Sequence, residues 1–318
     1  MKLFRFRLRP KTPWMSPWQA DTIAGLLAAL YARAAGPKAA EDDLIGPWRA
    51  GDPTLVVSDA FPGDLLPAPV CLAVSPEIKE QDRKKLRKMA WLTPDEFAAV
   101  QRTGKLPEAA GRDRADPFHE VVRMRNSIDR AVDSTGETGK LYEAAGQVLK
   151  EPGTLSVYAR VAQGREDWAA RLFGLLAEHG FGADAGVGAG EVELAGGPEP
   201  VNLEPDGATG GWVSLSTFQP AQKDPTEGYW RSFVKYGKLG PDFPVDSVFK
   251  RPQWMIRAGA CFRETGARRE WYGRWIPAEH LLLSDAQRQL EAAGVHAGQP
   301  AYALAVPLRW VEKEGAAP

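Results

Sequence analysis

The chain has 318 residues, 44% apolar and 25% charged, with a formal net charge of −1. Such a length allows two domains, buries enough surface to fold without staples, and excludes collagen-like, disordered and coiled-coil chains. The two cysteines, Cys71 and Cys261, supply neither a disulfide framework nor a zinc ligand set, which points to a reducing cytoplasm.

No stretch reads as an export signal or a membrane span. The most apolar run, residues 23–35, is short for a bilayer and is interrupted by Gly25 and Arg33. Average neutrality hides an asymmetry. Residues 1–35 carry six Lys or Arg against Asp21 alone, residues 79–88 carry six against Glu80 and Asp82, and residues 181–206 carry six acids with no Lys or Arg. Local basic surface can hold a polyanion at one face; the structural alternative is a set of solvated faces.

In chain order, Phe4, Phe6 and Leu8 alternate with Arg5, Arg7 and Arg9. This period of two predicts a half-buried strand that presents three guanidinium groups on one side. With no acid interspersed, Arg5, Arg7, Arg9 and the following Lys11 are candidate phosphate contacts. Ser16-Pro17-Trp18-Gln19 predicts a helix start with Ser16 as cap, Pro17 in the first turn and Gln19 reaching back. Ile23, Leu26, Leu27, Leu30 and Tyr31 continue it at helical spacing, and Gly36-Pro37 ends it. Residues 54–58 and 70–74 read as short strands, 79–91 as a basic helix, and Thr93-Pro94-Asp95-Glu96 as the start of another helix. Residues 104–115 read as a mobile loop.

Regular structure resumes with a strand over 155–161 and a helix over 166–179, with Trp168, Leu172, Leu175 and Leu176 on one stripe. A glycine loop over 180–190 follows, then a short strand over 191–194 and a linker at Gly196, Gly197, Pro198 and Pro200. Residues 212–218, 254–262 and 302–308 read as strands, 226–236 as a helix, and 284–294 as a helix opened by Ser284 and Gln287. This order predicts an α+β chain of two ferredoxin-like βαββαβ domains. The first covers 1–197, with an insertion over about 60–150, and the second covers 205–318.

Gly180, Gly182 and Ala185 satisfy the spacing of a dinucleotide fingerprint, but the helix precedes the glycines and the strand follows, the reverse of what a pyrophosphate site needs. No P-loop occurs and no cofactor is implied. Gly180, Gly182, Gly186 and Gly188 still allow backbone N–H groups to approach a polyanion, and a ligand-free turn is the structural alternative. His119, His179, His280 and His296 show no metal-ligand spacing, and no nucleophile–base arrangement is visible. Arg123, Arg125 and Arg130 flank Asn126 with only Asp129 opposing them. Guanidinium groups grip phosphate, Asn can read base edges, and Met124 and Ile128 could wedge against unstacked bases. An ion-paired helix face is the alternative there. Lys250 and Arg251 lie close to Trp254, a combination suited to stacking single-stranded RNA.

Taken in order, several short segments resemble the RAMP superfamily of CRISPR effector subunits, and within it the fourth-subunit family of type III-A Csm complexes. They are Pro17-Trp18-Gln19-Ala20-Asp21-Thr22, Val57-Ser58-Asp59-Ala60-Phe61-Pro62, Leu66-Pro67-Ala68-Pro69, Arg125-Asn126-Ser127-Ile128-Asp129-Arg130 and Gly139-Lys140-Leu141-Tyr142. The 180–190 loop, Val213-Ser214-Leu215-Ser216, Phe218-Gln219-Pro220 and Lys250-Arg251-Pro252 before Met255-Ile256 complete the set. The resemblance implies two RRM-like domains, no enzymatic activity, and a role in holding the 5′ handle of the CRISPR RNA. It also implies docking of a large polymerase-like subunit and a backbone RAMP subunit. The RNA contacts it implies are the 180–190 loop and the arginines of 123–130. Glycine loops of this family often carry Lys or Arg, whereas this one carries Asp184. Three other readings compete: the equivalent subunit of a type III-B Cmr complex, a protein-only scaffold, and a Cas6-type metal-independent endonuclease with His119 as general base.

Overall fold

The computed structural model describes residues 1–70, 89–106, 115–126, 141–151, 153–240 and 242–311. Strand β1 spans Lys2–Pro10 and helix α1 spans Ala20–Ala35. A short helical run, Pro37–Ala40, Glu41–Ile45 and Gly46–Ala50, leads to β2, Leu55–Pro62. The two-residue strands β3, Leu66–Pro67, and β4, Trp91–Leu92, pair with each other ahead of helix α2, Pro94–Thr103. Strands β5, Phe118–Asn126, and β6, Leu141–Leu149, form a separate antiparallel ribbon. Strand β7, Leu155–Val161, helix α3, Glu166–His179, and strand β8, Val192–Pro200, complete the first half.

The first sheet is antiparallel throughout, in the order β2-β7-β1-β8. Its alternation places Phe4, Phe6 and Leu8 inward. Phe6 stacks on Phe173 of α3 with ring centroids 3.9 Å apart. Ile23 and Leu27 of α1 and Leu172 and Leu176 of α3 are fully buried beside them. Each such side chain contributes about 1.5–3 kcal/mol by leaving water.

The second half contains β9, Gly210–Ser214; β10, Gly228–Tyr229; β11, Ser232–Lys235; β12, Gln253–Ile256; and β13, Cys261–Arg263. It closes with β14, Trp271–Pro277, helix α4, Ser284–Ala292, and β15, Gly298–Arg309. Its sheet has the order β10-β13-β9-β15-β14, while β11 and β12 pair as a second ribbon. The whole is a mixed α/β chain built on antiparallel sheets. Val213, Leu215, Cys261, Leu304 and Val306 join the core of the first half, so hydrophobic packing runs unbroken across the two.

A polar seam fixes the two halves together. The Asp59 carboxylate accepts from Ala20 N (2.8 Å), Thr217 N (2.7 Å) and Thr217 Oγ1 (2.7 Å). Ser216 Oγ donates to the Val57 carbonyl and accepts from Leu304 N, each at 2.8 Å. Burial pushes the Asp59 carboxyl up to about 6; the three donors pull it down and nearby Asp21 raises it.

Several expectations are met. The strand over 155–161 and the helix over 166–179 form as read, and Thr93 and Glu96 make the reciprocal cap of α2. Others are corrected. Helix α1 begins at Ala20 with no cap from its own flank, because Asp59 on β2 supplies the capping oxygen to Ala20. Ser284 does not cap α4, which starts at that residue without a side-chain bond. The expected linker at 196–200 is part of β8, where Gly196 and Pro200 stand opposite Arg7 and Phe4. Proline is tolerated there because β8 is an edge strand.

The expected helix over 226–236 is replaced by β10 and β11. Ser232, Val234 and Tyr236 face out while Phe233 and Lys235 face in, a period of two rather than 3.6. The single strand read over 254–262 is two strands, β12 and β13, and β14 was not anticipated. Residues 71–74, 79–88 and 107–114, with Arg130 and Ile128, lie outside the described residues. Among the described residues no helix is long and apolar enough to cross a membrane.

Candidate nucleic-acid interface

The 180–190 loop is held against the segment that joins β1 to α1. Phe181 is fully buried and stacks on Trp18 at 3.7 Å. Phe181 N donates to Gly190 O (2.8 Å), Gly190 N to Pro13 O (2.9 Å), and Ala183 N to Ser16 Oγ (2.9 Å). Ser16, expected to cap α1, therefore anchors the loop instead. Two positions demand glycine: both have positive φ, and a Cβ on Gly190 would lie 2.0 Å from Phe181 O, while one on Gly182 would lie 2.7 Å from Ser16 Cβ. Gly186 and Gly188 stand in open space on either side of the exposed Val187. The N–H groups of Val187, Gly188 and Ala189 turn inward onto the Asp184 and Ala185 carbonyls.

The β5–β6 ribbon rises beside this loop. Trp14 and Gln147 exchange both backbone hydrogen bonds (3.1 and 2.9 Å), and Gly146 lets the ribbon approach Met15. An aromatic series from Phe61 through Trp91 and Phe118 to Trp14 supports its base, with centroids about 6 Å apart. The register sets the two faces. Arg123 and Arg125 stand opposite Ala144 and Tyr142, whereas Val122, Met124 and Asn126 stand opposite Ala145, Glu143 and Leu141. Val122 and Met124 are 51% and 56% exposed.

Arg125 Nη1 reaches Asp184 Oδ2 at 2.8 Å, which neutralises the loop's acid and ties ribbon to loop. Arg123, Asn126 and Tyr142 are exposed. The structure thus brings together two segments 55 or more positions apart in sequence, the arginines of 123–126 and the glycines of 180–190. His119 stands exposed nearer the ribbon's base, opposite Val148 and on the same side as Arg123.

The other candidates are placed differently. The register that sets β1 against β8 puts Arg5 opposite Glu199 and Arg9 opposite Glu193. Arg5 binds both oxygens of Glu199 (2.7 and 3.2 Å) and Asp64 (2.6 Å); Arg7 also reaches Glu199 (2.8 Å). Glu193 takes Arg9 and, at 2.6 Å, Lys11. The acids missing from β1 itself arrive from its neighbour, so the guanidinium row is ion-paired rather than free. The side-chain bond from Lys11, with that from Arg9, holds the Glu193 carboxyl below its usual range.

Lys250 points inward, its amine donating to Gln299 Oε1 at 2.8 Å; burial pushes it down to about 8, Lys235 lowers it further, and Asp21 opposes the shift. Arg251 is exposed and donates to Glu279 O at 3.3 Å. Sequence reasoning missed Tyr142 and the whole of β6, for which only the Leu141-Tyr142 pair was a signal. Among the described residues no three His, Cys, Asp or Glu side chains gather to hold a metal ion.

The geometry defines a mixed α/β chain with an arginine-bearing ribbon over a glycine loop. No family model matches the sequence, and no curated protein matches it. Solved structures do match the fold. A chain of the crystal structure of the Csm1–Csm4 cassette in complex with pppApA is 21% identical, with 99% of this chain and 100% of that chain covered and a TM-score of 0.59. A chain of the Csm3–Csm4 subcomplex in the type III-A CRISPR–Cas interference complex is 13% identical, covering 94% of this chain and 99% of that one at a TM-score of 0.57. Csm4 is the component common to both, and its fold is the one this chain shares.

Proposed function

We propose that the chain is a non-catalytic RNA-binding subunit of a type III-A CRISPR effector in antiviral defence. It holds the 5′ handle of the CRISPR RNA between the 180–190 loop and the arginine face of the β5–β6 ribbon. It also docks the large polymerase-like subunit and a backbone RAMP subunit. The observation that carries the reading is the Arg125–Asp184 contact, which sets Arg123 and Tyr142, on the same face of the ribbon, beside an exposed glycine tip; Asn126 lies on the opposite face. Cationic side chains, an exposed ring and close backbone approach are what unpaired RNA uses. Support for the partners comes from the likeness to a component shared by Csm1–Csm4 and Csm3–Csm4 assemblies.

The fold is read here as two ferredoxin-like domains, over 1–197 and 205–318 as expected from the sequence. The order β2-β7-β1-β8, with α1 after β1 and α3 after β7, supports that reading for the first domain. The second domain keeps the equivalent order β10-β13-β9-β15, with β11 and β12 inserted between β10 and β13 as β3 to β6 are between β2 and β7. In this reading Arg5, Arg7, Arg9 and Lys11 hold β8 in place, since phosphate would have to displace Glu199 and Glu193 to reach them.

The test is ultraviolet crosslinking of the co-expressed complex carrying RNA labelled at its 5′ end, followed by mass spectrometry of this chain. Crosslinks confined to the handle and to residues 118–126, 141–149 and 180–190 are expected. Strong labelling of neighbouring subunits without any on this chain would leave it a protein-only scaffold. Incubating repeat RNA with the chain in EDTA should leave the RNA intact; cleavage lost in His119→Ala would overturn the non-catalytic assignment.

A further inference from the structure

The β11–β12 ribbon carries a second surface that the handle site does not use. Val234 and Trp254 stand directly opposite each other, and Lys238 forms a bridge with Phe249 where the segments continuing from β11 and β12 run on together. Their outward side is a strip of Val234, Trp254, Tyr236 and Phe249, with Tyr236 79% and Phe249 59% exposed. Lys238 Nζ lies 5.0 Å from the centroid of the Phe249 ring, and Arg251 is exposed close by. Residues 232–240 and 248–257 contain five Lys or Arg and no Asp or Glu.

The inward side fixes the strip rigidly. Lys235 Nζ donates to both Asp21 oxygens (2.7 and 2.8 Å) and to Thr22 Oγ1 (2.8 Å). Gln253 Nε2 donates to His280 O at 2.9 Å, and Lys250 bonds Gln299 beneath. Rings held in place by buried polar anchors lose little freedom when a ligand stacks on them.

The position of the strip matters as much as its chemistry. Residues 16–22 touch both surfaces: Ser16 and Trp18 hold the 180–190 loop, and Asp21 and Thr22 receive Lys235 of β11. The start of α1 is therefore flanked by the glycine loop on one side and by the aromatic strip on the other. We infer that the outward face of β11–β12 is a second stacking surface for unpaired RNA, extending the path of the same strand past the start of α1. The inference rests on the reading of the chain as an RNA binder. Exposed rings, a cation over one of them and the absence of acids match a polyanion with π-faces. The surface takes bases by stacking and phosphates through Lys238 and Arg251, without base-edge readout.

The experiment measures binding of a 5′-labelled oligouridylate, about 16 nucleotides long to fill one site, to the full chain across a range of salt. Trp254→Ala and Tyr236→Ala should each weaken binding about five- to a hundredfold, with the salt slope unchanged. Trp254→Phe should restore most of the affinity, and Arg251→Ala should make the log–log slope shallower by about 0.7. Wild-type affinity in Trp254→Ala and Tyr236→Ala, together with a loss in Arg123→Ala, would sink this inference and leave the handle site standing. Intact RNA binding by Trp254→Ala, with release of a co-expressed partner chain, would make the strip a protein dock instead. If the wild-type chain binds no RNA, both readings fail.

Discussion

Two strands of this molecule carry the same local pattern and meet opposite fates. In β1, Arg5, Arg7 and Arg9 alternate with Phe4, Phe6 and Leu8; in β5, Arg123 and Arg125 alternate with Val122 and Met124. Strand β1 is central in a four-stranded sheet, so its apolar side lies under two helices and its arginines meet carboxylates from β8. Among the described residues strand β5 has one neighbour and no helix over its apolar side, and Val122, Met124 and Arg123 are exposed. The lesson is that alternation fixes which residues share a face, while the number of neighbours decides whether that face is core, ion pair or ligand surface.

The comparison can be broken at several points. The largest effect should come from Phe6→Ala, which removes a ring stacked on Phe173 and should cost about 3–5 kcal/mol in denaturant unfolding. The corresponding Met124→Ala on β5 should stay within about 0.5 kcal/mol, as exposed positions do. Equal losses for the two would mean that the ribbon's apolar face is covered after all.

The seam beside β1 offers a pH test. The carboxyl of Asp59 is pushed up to about 6 from an unperturbed value of 3.8. Its contribution to stability is therefore fully present below about 3.8 and is lost as pH rises through about 6. The difference amounts to about 2–3 kcal/mol. Asp59→Asn should flatten that part of the stability–pH curve, and a curve unchanged by the substitution would place the titration elsewhere.

A smaller effect tests the ion-paired row itself. Glu199→Gln leaves Arg5 and Arg7 with Asp64 as their remaining acid and should cost about 1 kcal/mol, because the carboxylate is partly solvated. It should not raise RNA affinity. A gain would show that β1 arginines, once released, reach phosphate. Smallest in stability is Arg123→Ala, within about 0.5 kcal/mol. Its signature lies in RNA binding, where the log–log salt slope should become shallower by about 0.7.

Much of the first half is legible residue by residue. The strand at 155–161, the helix at 166–179 and the cap at Thr93 depend on local spacing and on donors within one turn, which the sequence displays directly. The wrong start for α1 and the missing helix at 226–236 have a different origin. Asp59, which caps α1, is 39 positions away. The 226–236 segment holds enough apolar residues for either period, and pairing with β12 decided between them. Of the candidate site, the glycines and Arg123 and Arg125 were visible as residue types. Tyr142, Trp14 and Ser16 were not, since their roles exist only once β5 and β6 pair and the 180–190 loop closes.

The charge runs show the division most plainly. That residues 1–35 are basic and 181–206 acidic is a fact of composition, available before any fold is known. That Glu193 and Glu199 silence β1, while Asp184 draws Arg125 onto the glycine loop, depends on which strands lie side by side. Side-chain type and spacing are local properties of the chain. Whether a charge is answered depends on groups brought within a few ångströms by long-range pairing, and that is a property of the tertiary structure alone.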